Sequence, residues 1–117
     1  MREFALRPGR AEIEMPVDLR TGGDSFACTS KNLGIGGLCV ATDRSFQVGE
    51  RLAVRFTLPD RDHSISASVE VRWIGEAQGR APGIGLRFVN LPVAAVVAIQ
   101  TFLGNLDGEL SPLGRST

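Results

Sequence analysis

Two sets of residues in this 117-residue chain have the chemistry to hold an anion, and one residue has the chemistry of a general base. Arg2, Arg7 and Arg10 precede the first strand-like segment. A guanidinium forks onto phosphate oxygens and stacks on a purine face, so arginines on an arm suit a nucleotide. Their spacing is too irregular for a helix face, and Pro8-Gly9 holds the segment extended or turned. Residue chemistry alone favours solvated terminal charges. The second set is Gly34, Gly36 and Gly37, within the stretch Lys31 to Val40 between two strand-like runs. Glycine visits positive φ at little cost and leaves its N–H open to close approach, so this bend is either a structural corner or a binding edge. His63, the single histidine, sits between Asp62 and Ser64. No serine or cysteine is marked out as its partner, and its neighbours suit a surface turn.

Other chemistries are excluded by what is missing. One histidine and two separated cysteines cannot make a four-ligand zinc site. No Gly-Lys-Ser/Thr follows the glycines, so the bend is not a Walker-type phosphate loop. Cys28 and Cys39 face one another if the hairpin centres on Leu33 and Gly34, but two reduced, buried thiols suit a cytoplasmic chain better. Thirteen basic residues balance thirteen acidic ones, so nothing draws the whole chain to nucleic acid polymers or anionic lipid. The longest apolar run, near Leu91 to Ile99, is too short to insert across a bilayer. No apolar segment follows the first basic residues, which makes the cytoplasm the expected location.

Length and a 43% hydrophobic content predict one domain with a real core. Ala11 to Arg20 alternates, with Ile13, Met15, Val17 and Leu19 on one face, and Thr21-Gly22-Gly23-Asp24 supplies a hairpin turn. Strands are expected at Ser25 to Leu33, Leu38 to Thr42, Arg51 to Leu58, Ser64 to Ile74 and around Ile84, Leu86 and Phe88. In the longest of these Ile65, Ala67, Val69, Val71 and Trp73 share the inner face. Asp43 to Glu50, Pro59 to His63 and Gly75 to Gly83 read as loops. After Pro92 the spacing of Val93, Val96, Val97, Gln100, Phe102, Leu103 and Leu106 turns helical, with Gly104 and Gly108 available to end the helix. The division is then an arm at 1–10, a barrel with its helix at 11–106 and a flexible tail at 107–117. Val93, Val97 or Leu103 would support a homodimer if that face is uncovered, and a monomer otherwise.

Several short pieces carry a resemblance through their order: Asn32-Leu33-Gly34-Ile35-Gly36-Gly37-Leu38, Val48-Gly49-Glu50, Phe56-Thr57-Leu58-Pro59, Val69-Glu70-Val71-Arg72-Trp73-Ile74, Gly83-Ile84-Gly85-Leu86-Arg87-Phe88 and Phe102-Leu103. Over roughly residues 7 to 106 the chain resembles the PilZ domain. That family implies a mostly-β fold, a six-stranded antiparallel barrel with one C-terminal α-helix, which in many bacterial proteins binds the second messenger cyclic di-GMP. Its ligand signature has two parts, an RxxxR arm ahead of the first strand and a (D/N)xSxxG turn. Arg10 takes the second arginine, but Leu6 stands at the first and Arg7 is out of register by one. Asn32 and Gly37 take the ends of the turn, but Gly34 stands where the serine belongs.

An arginine contact and a hydroxyl bond lost together are worth about 3–5 kcal/mol, or two to four decades of affinity. The resemblance therefore implies a non-enzymatic signalling module without metal or cofactor. It would act as an adaptor for an unidentified protein partner, in motility or surface behaviour, with cyclic di-GMP binding weak or lost. The alternative is a genuine cyclic di-GMP receptor, whose contacts would come from Arg7, Arg10, Asn32, Gly34, Gly36 and Gly37.

Overall fold

The computed structural model describes residues 10–76 and 82–110. Strands are β1 (Arg10–Glu12), β2 (Pro16–Thr21), β3 (Asp24–Gly34), β4 (Gly37–Ala41), β5 (Arg51–Thr57), β6 (Ser64–Glu76) and β7 (Pro82–Asn90), followed by helix α1 (Val93–Leu110). Every pairing is antiparallel, in the order β3-β2-β5-β6-β7-β4, and β4 pairs back onto β3 to close the barrel. β1 lies beside the far end of β3, so β1 and β2 together occupy one of six staves. The six-stranded barrel expected from the sequence is therefore the one that forms. The Thr21–Asp24 hairpin also holds, with Gly22 at φ 60° as a two-residue primed turn requires.

The stave expected at Ala11 to Arg20 is broken, because Glu12 faces Asn32 while Pro16 faces Thr29. Ile13, Glu14 and Met15 thus oppose only Ser30 and Lys31, which is a bulge that bends the strand. Ser30 holds this bend. It is 1% exposed and is the buried polar residue among those described. Its hydroxyl accepts from the Met15 N–H at 3.0 Å and donates to the Ile13 carbonyl at 2.5 Å. Its own N–H donates to the Met15 carbonyl at 2.9 Å, and the Ile13 N–H reaches Lys31. Groups that the bulge removes from the ladder are thereby satisfied.

Alternating side chains fill the interior: Val17 and Leu19 from β2, Leu33 from β3, Leu38 and Val40 from β4, Val54 and Phe56 from β5, Val69 and Val71 from β6, Ile84 and Leu86 from β7. The helix contacts β1 and contributes Ala95, Ala98, Ile99, Phe102 and Leu103 to the same core. Leu103 is buried, whereas Val93 and Val97 face solvent, so the expected self-association face is split between core and surface. Gly104 does not end the helix, which runs to Leu110 and includes residues assigned from sequence to the tail. A glycine stops a helix by taking positive φ, and Gly104 does not take it. The loop expected at Gly75 to Gly83 also shortens, since Gly75 pairs with Gly83 and Glu76 with Pro82. Residues 1–9, 77–81 and 111–117, with Arg2, Leu6 and Arg7 among them, lie outside the described residues.

Replacing Ser30 with Ala leaves the buried Met15 N–H and the part-buried Ile13 carbonyl without that partner. The expected cost is about 2–4 kcal/mol, seen as a lower urea midpoint with an unchanged m-value. A loss below about 0.5 kcal/mol would show that the bulge holds without the hydroxyl.

Candidate ligand-binding site

The glycine bend is built by the β3–β4 register, in which Leu33 pairs with Leu38 and Asn32 with Cys39. The hairpin therefore centres between Ile35 and Gly36, two residues beyond the Leu33–Gly34 centre that would have set the cysteines opposite one another. Cys28 instead lies beside Val17, to whose carbonyl its thiol donates at 3.6 Å, and Cys39 lies opposite Asn32. The two form no disulfide. Burial, with the Asp18 carboxylate adding to it, pushes the Cys28 thiol up to about 11, which keeps it protonated at neutral pH.

None of the three bend glycines has positive φ; among the described residues Gly22 and Gly49 do. The reason for glycine here is close approach. At Gly37 a Cβ would collide with the Leu86 carbonyl and come within 3.0 Å of the Arg87 Cα, because β7 runs tight against β4. Gly36 has open space where a Cβ would point, and its carbonyl accepts the Phe88 N–H at 2.8 Å. The bend is thus a corner at Gly37 and an open edge at Gly36.

The register also brings most of the sequence-derived site together. Arg10 is the backbone partner of Gly34, and Asn32 is the partner of both Glu12 and Cys39. Arg10, Asn32, Gly34, Gly36 and Gly37 therefore share one end of β1, β3 and β4. Arg7 falls outside the described residues.

Beside this end lies a wall of charge that sequence alone does not assemble. Arg51 pairs with Glu70, Glu70 with Arg87, and Arg87 with Gly37, so one row crosses β5, β6, β7 and β4 and finishes at the bend. The Arg87 guanidinium donates to the Glu70 carboxylate at 2.7 Å. That bond, with the added fields of Arg87, Arg51 and Arg72, holds the Glu70 carboxyl below the usual carboxylate range.

Next to the row, β6 slips register between Val71 and Trp73. This bulge at Arg72 overturns the expected inward Trp73: the indole is 47% exposed, and Ile74 is 49% exposed. The ring lies on Gly85, where a Cβ would intrude on the indole itself. Gly36, Gly37, Arg72, Trp73 and Arg87 line a shallow hollow of 170 Å³. Strand alternation marks Glu70, Arg72 and Arg87 as outward, but nothing local signals the bulge that turns Trp73 out with them.

A second hollow, of 480 Å³, lies at the opposite hairpin. Its arginine is already engaged, since the Arg44 guanidinium sits 4.1 Å above the Phe26 ring and Phe26 stacks on Phe46. His63 is exposed in the β5–β6 turn. No cluster of three His, Cys, Asp or Glu side chains among the described residues could hold a metal ion, and none of the described helices is long and apolar enough to cross a membrane.

Comparison with known proteins agrees with this architecture. Among curated protein sequences none matches the chain significantly. Solved structures do. The Bacillus subtilis inhibitor of motility, MotI/DgrA, superposes with a TM-score of 0.79 at 20% identity over 93% of this chain, which spans 53% of that one. The PilZ domain of Escherichia coli YcgR, solved with c-di-GMP, superposes at 0.67 and 14% identity over 89% of each chain. A Xanthomonas campestris protein described as a tetrameric PilZ domain self-assembled through a helical bundle superposes at 0.56 and 15% identity, over 77% of this chain and 49% of that one. These identities speak for the fold alone. The sequence model of the PilZ domain matches residues 2–105, nearly the whole chain, and this protein belongs to the PilZ domain family.

Proposed function

We propose that this chain is a non-catalytic signalling module of a bacterial cytoplasm that works by binding another protein, with cyclic di-GMP affinity weak or lost. The observation that carries the reading is Gly34. It occupies the serine position of the family's turn, inside β3 and backbone-paired to Arg10, so the edge nearest the arm offers no side-chain hydroxyl to a phosphate. Leu6 at the first arginine position removes a guanidinium from the same ligand. Control of motility is the process we infer, in keeping with the fold shared with an inhibitor of motility. The stretch 1–10 would serve as the arm, and the tail expected at 107–117 would begin after the helix, which runs to Leu110.

A second reading keeps cyclic di-GMP as ligand, held by Arg7, Arg10, Asn32 and the backbone of Gly34, Gly36 and Gly37. One observation favours it: β1 does deliver Arg10 to the glycine bend.

Titration calorimetry separates the two. The adaptor reading expects no saturable heat with cyclic di-GMP up to about 100 μM. The Leu6→Arg/Gly34→Ser variant should gain two to four decades of affinity, about 3–5 kcal/mol, as both contacts return. Low-micromolar binding by the unmodified chain, abolished in Arg7→Ala/Arg10→Ala, would establish the receptor reading instead. A silent double variant would show that these two positions are not the reason for weak affinity.

A further inference from the structure

The row that ends at the glycine bend carries more positive charge than it neutralises. The charges of Arg51, Arg72 and Arg87 all act on the carboxylate of Glu70. Among the described residues the ion pairs are Arg87–Glu70 and Arg61–Asp60, so Arg51 and Arg72 have no carboxylate within pairing distance. Arg51 faces Glu70 across the β5–β6 ladder, and Arg72 is followed on β6 by the half-exposed Trp73 and Ile74. Flat basic walls with an aromatic anchor recognise anions that also bring an apolar group. A hollow of 170 Å³ is below the ~300–1,000 Å³ typical of a small-molecule pocket, while one protruding side chain would suit it.

We infer that the outer wall of β5, β6 and β7 is a docking surface for an acidic segment of a protein partner. Partner carboxylates would seat on Arg51, Arg72 and Arg87, and an apolar partner side chain on Trp73. Glu70 is the wall's own stand-in for that partner: its carboxylate occupies Arg87 and must yield or be shared when a partner carboxylate arrives. The inference rests on the adaptor reading for its biological partner, and the charge complementarity of the wall stands apart from it.

Trp73 is the single tryptophan, so its emission reports on this surface directly. The probe is a synthetic peptide alternating glutamate and leucine, with a lysine–leucine peptide as its control, titrated into the full chain. The expected result is a saturable change in Trp73 emission with the acidic peptide alone, weakened by salt. Arg51→Glu/Arg72→Glu should reduce affinity about tenfold or more, while Arg61→Glu, paired with Asp60 in the turn between β5 and β6 and off the wall, should not. Glu70→Gln should raise affinity about threefold, the scale of one exposed ion pair. Equal binding of both peptides, no loss in the double charge reversal, or weaker binding in Glu70→Gln would overturn the proposal. A Trp73 response to cyclic di-GMP but not to the peptide would also overturn it, and assign the wall to a nucleotide.

A pull-down with the full chain as bait separates the two levels. If the chain and its Arg51→Glu/Arg72→Glu variant retain the same proteins, the wall is wrong and the adaptor reading survives. If neither retains a protein while the peptide behaves as expected, the wall stands and the adaptor reading falls.

Discussion

The hydroxyl of Ser30, seated between the Ile13 carbonyl and the Met15 N–H, is the constraint on which the pairing at the glycine-bend end of the barrel depends. A strand that kept the β2 register along its whole length would set Arg10 opposite Ile35 instead of Gly34. The extra residue in the bulge shifts the register by one, and this shift makes Gly34 the partner of Arg10. A bulge takes backbone groups out of the ladder, and buried groups left so are costly, so the bend persists where a side chain replaces the lost partners. One buried serine does this for both a donor and an acceptor. Its position in the middle of β3 links the arm side of the barrel to the glycine bend.

The glycines at this end act by leaving room, and their backbone is conformationally ordinary. Gly37 lets β7 approach β4, and Gly85 lets the Trp73 indole lie flat on the barrel wall. Both spaces sit beside the Arg51–Glu70–Arg87 row, so the same close packing that shapes the corner also produces an open, flat, charged face. A flat face with an aromatic anchor favours another protein surface over a small ligand that must be enclosed.

The helix completes the core from the β1 side, and its boundary shows how context outweighs composition. Two glycines near its end suggest termination, yet Gly104 keeps helical geometry while Phe102 and Leu103 beside it are buried on the barrel. Burial of an aromatic and a leucine on adjacent positions outweighs the roughly 1 kcal/mol that a helical glycine costs. Val93 and Val97, on the other side of the helix, are left to solvent.

Period-two alternation was enough to identify the staves and most of their inward faces, because burial of one face imposes that pattern locally along each strand, and the change to helical spacing after Pro92 marked the closing helix. Asn32, Gly34 and Gly37 were singled out from the sequence, and the register of β1, β3 and β4 sets them at one end of the barrel. Three things were decided only by the assembled barrel: the bulges at Ile13–Met15 and at Arg72, the hairpin centre, and the row from Arg51 to Gly37. A bulge depends on which partner is available across the ladder, as Ser30 is for Ile13 and Met15, and a row depends on the register of four strands far apart in the chain. Trp73 shows the difference most clearly. Its alternation points inward, and one extra residue at Arg72, set by pairing with β7, turns it out onto the wall.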